Sequence, residues 1–160
     1  KAAVISEIQY HPPHGSAQLP FVEVTNLSGA SLDLSGWRLR GGISYDIPQG
    51  TTLAAGAQIA INTFTGSLNQ GTGERLRLEM PEHILNGTVP ETIYPVIDEV
   101  TYGTGGRWGR WSDGGGSSLE LKDLRADGRL VLVISEGLVR FFDTATLLRD
   151  ALKLLGAKRA

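Results

Sequence analysis

Two glutamates on separate predicted strands are the first candidates for chemistry in this sequence. Glu7 and Glu23 each lie among alternating apolar residues. Carboxyl groups that face each other across a substrate can act as the acid and the base of a glycosidase. The alternative, which we favour, is that both are hydrogen-bonded structural carboxylates. Asp98 and Glu99 make a second acidic pair, but neighbours on a strand point to opposite faces and cannot cooperate.

Two histidines around a proline pair are candidate metal ligands. His11 and His14 lie three positions apart, with two prolines between them. A metal site would need a further ligand, which Glu7 or His83 could provide if the fold brought it near. We favour a turn with two exposed imidazoles. One functional hypothesis, ranked below the two binding functions described at the end of this subsection, is a hydrolase that uses His11, Glu7 or Glu23.

Motifs for nucleophiles and phosphate binding are missing from the sequence. There is no Gly-x-Ser-x-Gly, and the Gly-rich stretch from Gly103 to Gly116 lacks the Lys-Ser/Thr ending of a phosphate loop. Asp98, Asp113 and Asp123 with loop carbonyls are an alternative Ca²⁺ set, although the spacing of a calcium loop is not present. We therefore predict no catalytic residues, no metal and no cofactor.

A loop with two tryptophans and two arginines is the predicted ligand-binding segment. It contains Arg107, Trp108, Arg110, Trp111 and Asp113. Aromatic rings and guanidinium groups could stack on a sugar, or on a base with contacts to phosphate. The alternative is that one tryptophan folds back over the edge of the domain while the arginines pair with nearby acids.

Composition limits the classes of protein that could carry these residues. The chain has 160 residues, 41% hydrophobic and 20% charged, with a net charge of -2. It therefore predicts a globular domain, and it lacks the basic surplus typical of nucleic-acid binding. No apolar run reaches the roughly 18 residues of a membrane span. Without cysteines there are no disulfides and no thiol nucleophile.

Short alternating segments separated by turns predict an all-β domain. Examples are Phe21 to Val24, the pair of segments 37–40 and 43–47 joined by Gly41-Gly42, and Arg75 to Glu79. In Trp37 to Arg40 the alternation predicts a half-buried strand with its arginines in water. Residues 81–92 contain prolines, an Asn86-Gly87 turn and no clear period, so they are predicted to form a long loop. This spacing of strands is typical of a sandwich.

The last part of the sequence changes in character near residue 125. An apolar run from Leu130 to Ile134 predicts a strand. Apolar positions from Leu147 to Leu155 form one stripe of a helix, with Asp143 as N-cap and Gly156 as its end. We predict a domain at 1–125 and a strand-plus-helix appendage at 126–160. An alternative is that residues after about 128 are not a native continuation. The start at Lys1, without a Met, indicates a processed or excised fragment.

Six separate motifs follow one another along the sequence: Ile5-Ser6-Glu7-Ile8, Phe21-Val22-Glu23-Val24-Thr25-Asn26, Leu32-Asp33-Leu34-Ser35-Gly36-Trp37, Gly73-Glu74-Arg75-Leu76, Asp98-Glu99-Val100-Thr101-Tyr102 and Asp113-Gly114-Gly115-Gly116-Ser117-Ser118-Leu119-Glu120-Leu121. In this order, over about residues 2 to 123, they resemble the lamin tail domain of bacterial secreted or surface proteins. The resemblance implies an immunoglobulin-like β-sandwich with no established catalytic residues. From these motifs we expect a structural framework of Glu7, Glu23, Asn26, Asp33, Gly36, Trp37, Glu74 and Asp98.

The resemblance also sets the expected function. We expect a non-catalytic binding or structural module of a larger extracellular bacterial protein, which contacts a protein or a cell-surface component. The alternative is an accessory domain of a secreted enzyme that binds polysaccharide or nucleic acid through the Trp108/Trp111 loop. We do not expect a membrane span, and nucleic acid is the less favoured ligand. The oligomeric state does not follow from the sequence.

Overall fold

Alternation of apolar and polar residues produces the two main sheets of this protein. The computed structural model describes residues 1–104, 108, 110–121, 124, 131–135 and 138–139. Fifteen strands lie within this part of the chain, and they confirm the predicted β-sandwich. The predicted helix at Leu147 to Leu155 lies outside the described residues.

The larger sheet, sheet I, has six antiparallel strands in the order β15-β14-β13-β1-β2-β7. Its strands are β1 (Ala3–Gln9), β2 (Phe21–Asn26), β7 (Gln58–Ile61), β13 (Leu119–Leu121), β14 (Val131–Ser135) and β15 (Leu138–Val139). Strand β1 lies in the middle and carries a bulge at Ser6, because Ile5 pairs with Val24 while Glu7 pairs with Glu23. A bulge of this kind re-aims side chains and changes which backbone groups meet the neighbouring strand.

The second sheet, sheet II, has five antiparallel strands in the order β12-β9-β4-β5-β8. Its strands are β4 (Arg38–Arg40), β5 (Ile43–Asp46), β8 (Thr65–Gly66), β9 (Glu74–Glu79) and β12 (Val96–Tyr102). The short strands β3 (Leu32–Asp33) and β6 (Thr52–Leu53) form a separate pair. The remaining two, β10 (Glu82–Asn86) and β11 (Val89–Ile93), form a hairpin.

The core lies between the inner faces of sheets I and II. Val22 and Val24 of β2 and Leu76 and Leu78 of β9 are all fully buried. Each large apolar side chain removed from water in this way contributes roughly 1.5–3 kcal/mol. Trp37 is 3% exposed and belongs to the same core. The residues between them on each strand are polar, which is why the sequence alternates.

Two predictions about local structure were wrong. Residues 81–92 are not a long loop, because Glu82 to Ile93 pair as the β10–β11 hairpin around Gly87. Neither face of this hairpin is buried, so it has no apolar period. The side chains of Arg38 and Arg40 are 28% and 24% exposed rather than fully in water, and each forms an ion pair, with Glu79 and Asp46 respectively.

No helix within the described residues is long and apolar enough to cross a membrane.

Candidate functional site

The end of strand β1 holds the loop that the sequence predicted to bind ligand. His11 forms a parallel backbone bridge with Asp113, and the backbone amide of Gly114 donates to the carbonyl of His11 at 3.0 Å. The side chains of the same two residues also pair, with 2.6 Å between His11 Nδ1 and Asp113 Oδ1. Both are partly exposed. The loop is thus fixed to the sandwich at a surface position.

The base of this loop is buried against two tyrosines. Ser112 ends a short 3₁₀ turn (Arg110–Ser112), donates to the carbonyl of Trp108 at 2.9 Å and lies 3.3 Å from Tyr10 Oη. The rings of Tyr10 and Tyr102 lie 5.1 Å apart. Burial raises the pKa of Tyr10, an effect that the Ser112 hydrogen bond opposes and the charge of Asp113 reinforces. Tyr10 and Ser112 therefore keep their hydroxyl protons and act as an anchor.

The two tryptophans of the loop have different environments. Trp108 is half-buried and packs against the core. It lies directly over Gly103, where an added Cβ would be 2.7 Å from Trp108 Nε1. Trp111, in contrast, is 53% exposed. Trp108 thus takes the structural position that one tryptophan was expected to take, and Trp111 presents its ring at the surface.

The glycine run after Trp111 allows the loop to close tightly. The amide of Ser117 donates to the carbonyl of Trp111 at 3.1 Å. A Cβ on Gly115 would lie only 2.6 Å from that same carbonyl oxygen, and Gly114 has φ +78°. Side chains larger than hydrogen would therefore open the loop and move Trp111.

The side chains of the two arginines in the predicted binding segment lie outside the described part of the structure. Arg107 lies outside the described residues, and of Arg110 the backbone alone is described, in the 3₁₀ turn. Their proposed contacts with a ligand stay a prediction. Of the predicted segment, Trp111 and Asp113 are exposed at the surface, and Asp113 is paired with His11.

The glutamate pair from the sequence lies in a row of three carboxylates on sheet I. Glu7 is directly opposite Glu23 on one side and Glu120 on the other, and all three are half-buried. Burial raises the pKa of Glu7, opposed by a hydrogen bond from Ser118 and reinforced by the charge of Glu23. Burial and then the charges of Glu7 and Glu23 raise the pKa of Glu120.

Hydroxyl groups connect this row to the bulge in β1. Ser6 Oγ donates to Glu23 Oε1 at 2.7 Å, and Thr25 Oγ1 donates to Ser6 Oγ at 2.7 Å. The hydrogen bonds agree with the structural alternative for these carboxylates. The sequence did not predict that Glu120 lies beside Glu7, nor the hydrogen bonds between the hydroxyl groups. An alternating pattern does not reveal a bulge, and the bulge determines where these side chains lie.

The residues that were considered as metal ligands have separate partners or positions. His83 Nδ1 lies 2.9 Å from Thr92 Oγ1 in the β10–β11 hairpin, and His14 is exposed. Asp98 binds Lys1 and the amide of Ile5, and Asp123 lies outside the described residues. Among the described residues, no group of three or more His, Asp or Glu side chains is placed to hold a metal ion.

Asn26 is the most heavily bonded of the expected framework residues. It is fully buried, and its side-chain amide donates to the carbonyls of Ala30, Leu53 and Ala54 at 2.8–2.9 Å. Its Oδ1 accepts from the amide and the hydroxyl of Ser28. Asn26 therefore joins the end of β2 to two separate turns.

The segment from Asp33 to Trp37 forms a turn that leads into sheet II. Asp33 Oδ1 accepts from the amide of Ser35 at 2.8 Å, and hydrogen bonds from the Ser35 side chain and backbone lower the pKa of Asp33. Gly36 has φ +71° and donates its amide to Ile47. The conformation of Gly36 turns the chain so that Trp37 enters the core.

Glu74 stabilises the end of sheet II near the loop. Its carboxylate accepts from the amide of Gly42, from the amide of Asn69 and from Tyr102 Oη at 2.9 Å. Burial, and then the charge of Glu74, raise the pKa of Tyr102. Glu74 therefore helps to hold Tyr102 against Tyr10, beneath the loop.

Comparison with known proteins identifies one family. The sequence model described as Lamin Tail Domain matches residues 1–137. No curated protein matches the chain, and no solved structure does. The family consists of non-catalytic immunoglobulin-like domains that are typically binding or structural modules.

The family match reaches past residue 123, where the sequence motifs end, and includes β14, which pairs with β13. The division into a domain and an appendage near residue 125 stays a prediction. Six ordered motifs, a two-sheet sandwich and a match over most of the length all point the same way: the chain belongs to the lamin tail domain family.

Proposed function

We propose that this domain is a non-catalytic binding module of a larger extracellular bacterial protein. In this proposal the surface formed by His11, Trp111 and Asp113, here called the loop site, contacts a protein or another component of a cell surface. The properties of the lamin tail domain family support the general part of this assignment.

The observation that carries the proposal is the exposure of Trp111 next to loop residues, Ser112 and Asp113, that are held to the sandwich. Trp111 is 53% exposed, while the adjacent Ser112 is fully buried and Asp113 is paired with His11. A large aromatic side chain on a preorganised support loses little conformational freedom when it is buried by a partner. For this reason tryptophan is enriched among the residues that dominate binding energy at interfaces.

A second candidate function is recognition of polysaccharide, as an accessory domain of a secreted enzyme. The His11–Asp113 pair, 2.6 Å across, favours this candidate, because Asp113 is two residues along the same loop from the exposed Trp111 and adds polar groups to the surface of that loop. A sugar has an apolar C–H face that can lie on an indole and hydroxyl groups that can bond to an imidazole or a carboxylate. Binding sites commonly combine an apolar surface with a few polar groups in this way.

Trp111→Ala tests both candidates in one experiment. The wild type and the variant are applied to an array of defined bacterial polysaccharides and to a panel of purified bacterial cell-surface proteins. Leu85→Ala, which removes a 72% exposed apolar side chain far along the chain, is the matched control. We expect Trp111→Ala to weaken binding at least tenfold, about 1.4 kcal/mol, and Leu85→Ala to leave it unchanged.

The class of probe that binds decides between the candidates. Protein binding that depends on Trp111 supports the first, and glycan binding that depends on Trp111 supports the second. Binding that survives Trp111→Ala would contradict the loop site in both. Turnover of model ester, phosphate or glycoside substrates that is lost in His11→Ala or Glu23→Gln would contradict the non-catalytic part of the proposal.

A further inference from the structure

The β10–β11 hairpin lies outside both sheets, and within the described part of the chain no further strand pairs with its edges. Among the strands of the described residues, β10 pairs with β11 alone. All residues of the two strands except the half-buried Ile84 are exposed. They include two apolar side chains, Leu85 at 72% and Val89 at 64% exposure. A two-stranded hairpin is marginally stable in water, and open strand edges readily accept another strand.

The register shows which backbone groups point outward from this hairpin. Gly87 and Thr88 form a two-residue turn with φ +66° at Gly87, so the flanking pair Asn86 and Val89 exchanges hydrogen bonds. In an antiparallel ladder, pairs with and without mutual hydrogen bonds alternate. The pairs Leu85↔Pro90 and His83↔Thr92 are therefore those whose backbone N–H and C=O point away from the partner strand.

The two edges differ in what they offer to a further strand. On β11 the outward positions are Pro90 and Thr92, and proline has no N–H to donate. On β10 the outward positions are His83 and Leu85, which both have a donor and an acceptor. The β10 edge also lacks lysine, proline and a bulge, which are the usual means by which proteins protect an edge.

We propose that β10 is a self-association edge, to which β10 of a second copy of this chain adds antiparallel, with the two-fold axis at Ile84. In this register His83 of each copy lies opposite Leu85 of the other copy. The outward backbone N–H and C=O groups of both residues then form hydrogen bonds between the two copies. Glu82 lies opposite Asn86 of the second copy, so no like charges meet.

Registers in which the two-fold axis is moved by one residue are less favourable. A two-fold axis at His83 would place Leu85 opposite Pro81, which cannot donate. An axis at Leu85 would place His83 opposite Gly87 in the turn. The self-complementarity of backbone donors and acceptors about Ile84, with no like charges opposite each other, is the reason for choosing a second copy as the occupant. Because the paired segment is short, we expect a weak dimer.

Sedimentation of the full chain between about 10 µM and 1 mM tests the proposal, with Leu85→Pro as the main variant. This change removes an outward N–H but none of the hydrogen bonds inside the hairpin, because Leu85↔Pro90 is a pair without mutual bonds. Thr92→Pro is the matched control, since it removes the outward N–H of β11 in the same way. We expect the wild type and Thr92→Pro to dimerise, and Leu85→Pro to weaken dimerisation at least tenfold.

Two charged variants at Ile84 provide a second test that does not depend on proline, which could disturb the hairpin itself. Ile84→Lys and Ile84→Glu should each be monomeric, because like charges meet at the axis, and their mixture should form dimers. A wild type that is monomeric at 1 mM would overturn the proposal. So would a dimer that is unaffected by Leu85→Pro and by both charges at Ile84, or one equally lost in Thr92→Pro. Trp111→Ala should leave the dimer intact, so the result is independent of the loop site.

Discussion

At the scale of single residues, Asn26 explains how one polar side chain can organise a β-sandwich. The sequence motif that contains it placed Asn26 in the expected structural framework. The structure adds that it is fully buried and bonded to three carbonyls and to Ser28. The two N–H groups of the amide are shared among the three carbonyls. A side chain of this kind is costly to replace, because its partners would stay buried without hydrogen bonds.

Asn26→Ala is expected to lower the free energy of unfolding by about 3 kcal/mol, since several buried hydrogen bonds are lost together. Urea denaturation followed by tryptophan fluorescence measures this quantity. Asn62→Ala, at an exposed position just after β7, is the control and should change stability by less than about 0.5 kcal/mol. A loss at Asn26 no larger than that at Asn62 would show that the amide contributes no net stability.

The three glutamates in a row on sheet I carry like charges that repel one another. Glu7 lies directly between Glu23 and Glu120 on neighbouring strands. Like charges at directly opposite positions destabilise an antiparallel pair. Burial, and then the charge of Glu23, raise the pKa of Glu7 above its ordinary 4.5 in the folded protein, while the hydrogen bond from Ser118 opposes the rise. The protonated form of Glu7 is therefore the one that the fold favours.

The pH dependence of stability follows from the direction of this shift. A raised folded pKa contributes stability that is fully present below the unfolded value of 4.5 and is lost as pH rises through the folded pKa. Glu7→Gln should therefore stabilise the protein at pH 7 by roughly 0.2–1 kcal/mol and have little effect below about pH 4. Urea denaturation at both pH values measures the difference.

A matched variant separates this local effect from the general loss of one negative charge. Glu91→Gln removes a carboxylate from the exposed β10–β11 hairpin. If Glu7→Gln gains no more stability at pH 7 than Glu91→Gln does, the row of glutamates is not repulsive.

At the scale of elements, alternation was enough to predict the buried parts of the fold. The hairpin of β4 and β5 around Gly41-Gly42 and the strand β9 were evident, because one face of each is apolar and the other polar. The exposed β10–β11 hairpin was missed for the opposite reason. With both faces in water, no period distinguishes such a hairpin from a loop, and its Asn86-Gly87 turn was the one usable signal.

The candidate site was predictable as a segment but not as an arrangement. Two tryptophans in a Gly-rich loop marked residues 107–113, yet nothing in the pattern distinguished buried Trp108 from exposed Trp111. That difference depends on Gly103, which leaves room for the indole of Trp108. The pairing of His11 with Asp113 joins residues far apart in the chain. Contacts of such long range follow from topology, which local patterns do not contain.

Gly73, just before β9, allows the chain to lie close to the end of β12. Gly73 has φ +77°, and an added Cβ would lie 2.1 Å from the carbonyl oxygen of Tyr102. Gly56 has a similar φ of +72°, with nothing within 4 Å of an added Cβ. Both alanine variants suffer the same backbone strain of about 1–2 kcal/mol, and only Gly73→Ala also forces two strands apart.

We expect Gly73→Ala to lose about 1–3 kcal/mol more stability than Gly56→Ala, as is typical of an overfilled site. Thermal and urea unfolding of the two variants provide the comparison. Equal losses would mean that β9 and β12 can separate at this point without cost.

At the scale of the whole molecule, Asp98 joins the two sheets. It is on β12, at the edge of sheet II, and its side chain is completely buried. Its carboxylate accepts from the amide of Ile5 at 2.8 Å, next to the bulge in β1. It also accepts from Lys1 Nζ at 2.6 Å. A buried carboxylate needs such partners, and here one partner, Ile5, is on β1 of sheet I while the other, Lys1, lies just before that strand.

Asp98→Ala should therefore destabilise the sandwich by about 1–3 kcal/mol, because it leaves the buried amide of Ile5 without its acceptor. Asp98→Asn keeps an acceptor for Ile5 and should lose less. Asp46→Ala, which breaks the ion pair of a 72% exposed carboxylate with Arg40, is the control and should lose less than about 1 kcal/mol. Urea denaturation ranks the three variants. If Asp98→Ala and Asp46→Ala were equal, sheets I and II would be held together by the apolar core alone, without help from this carboxylate.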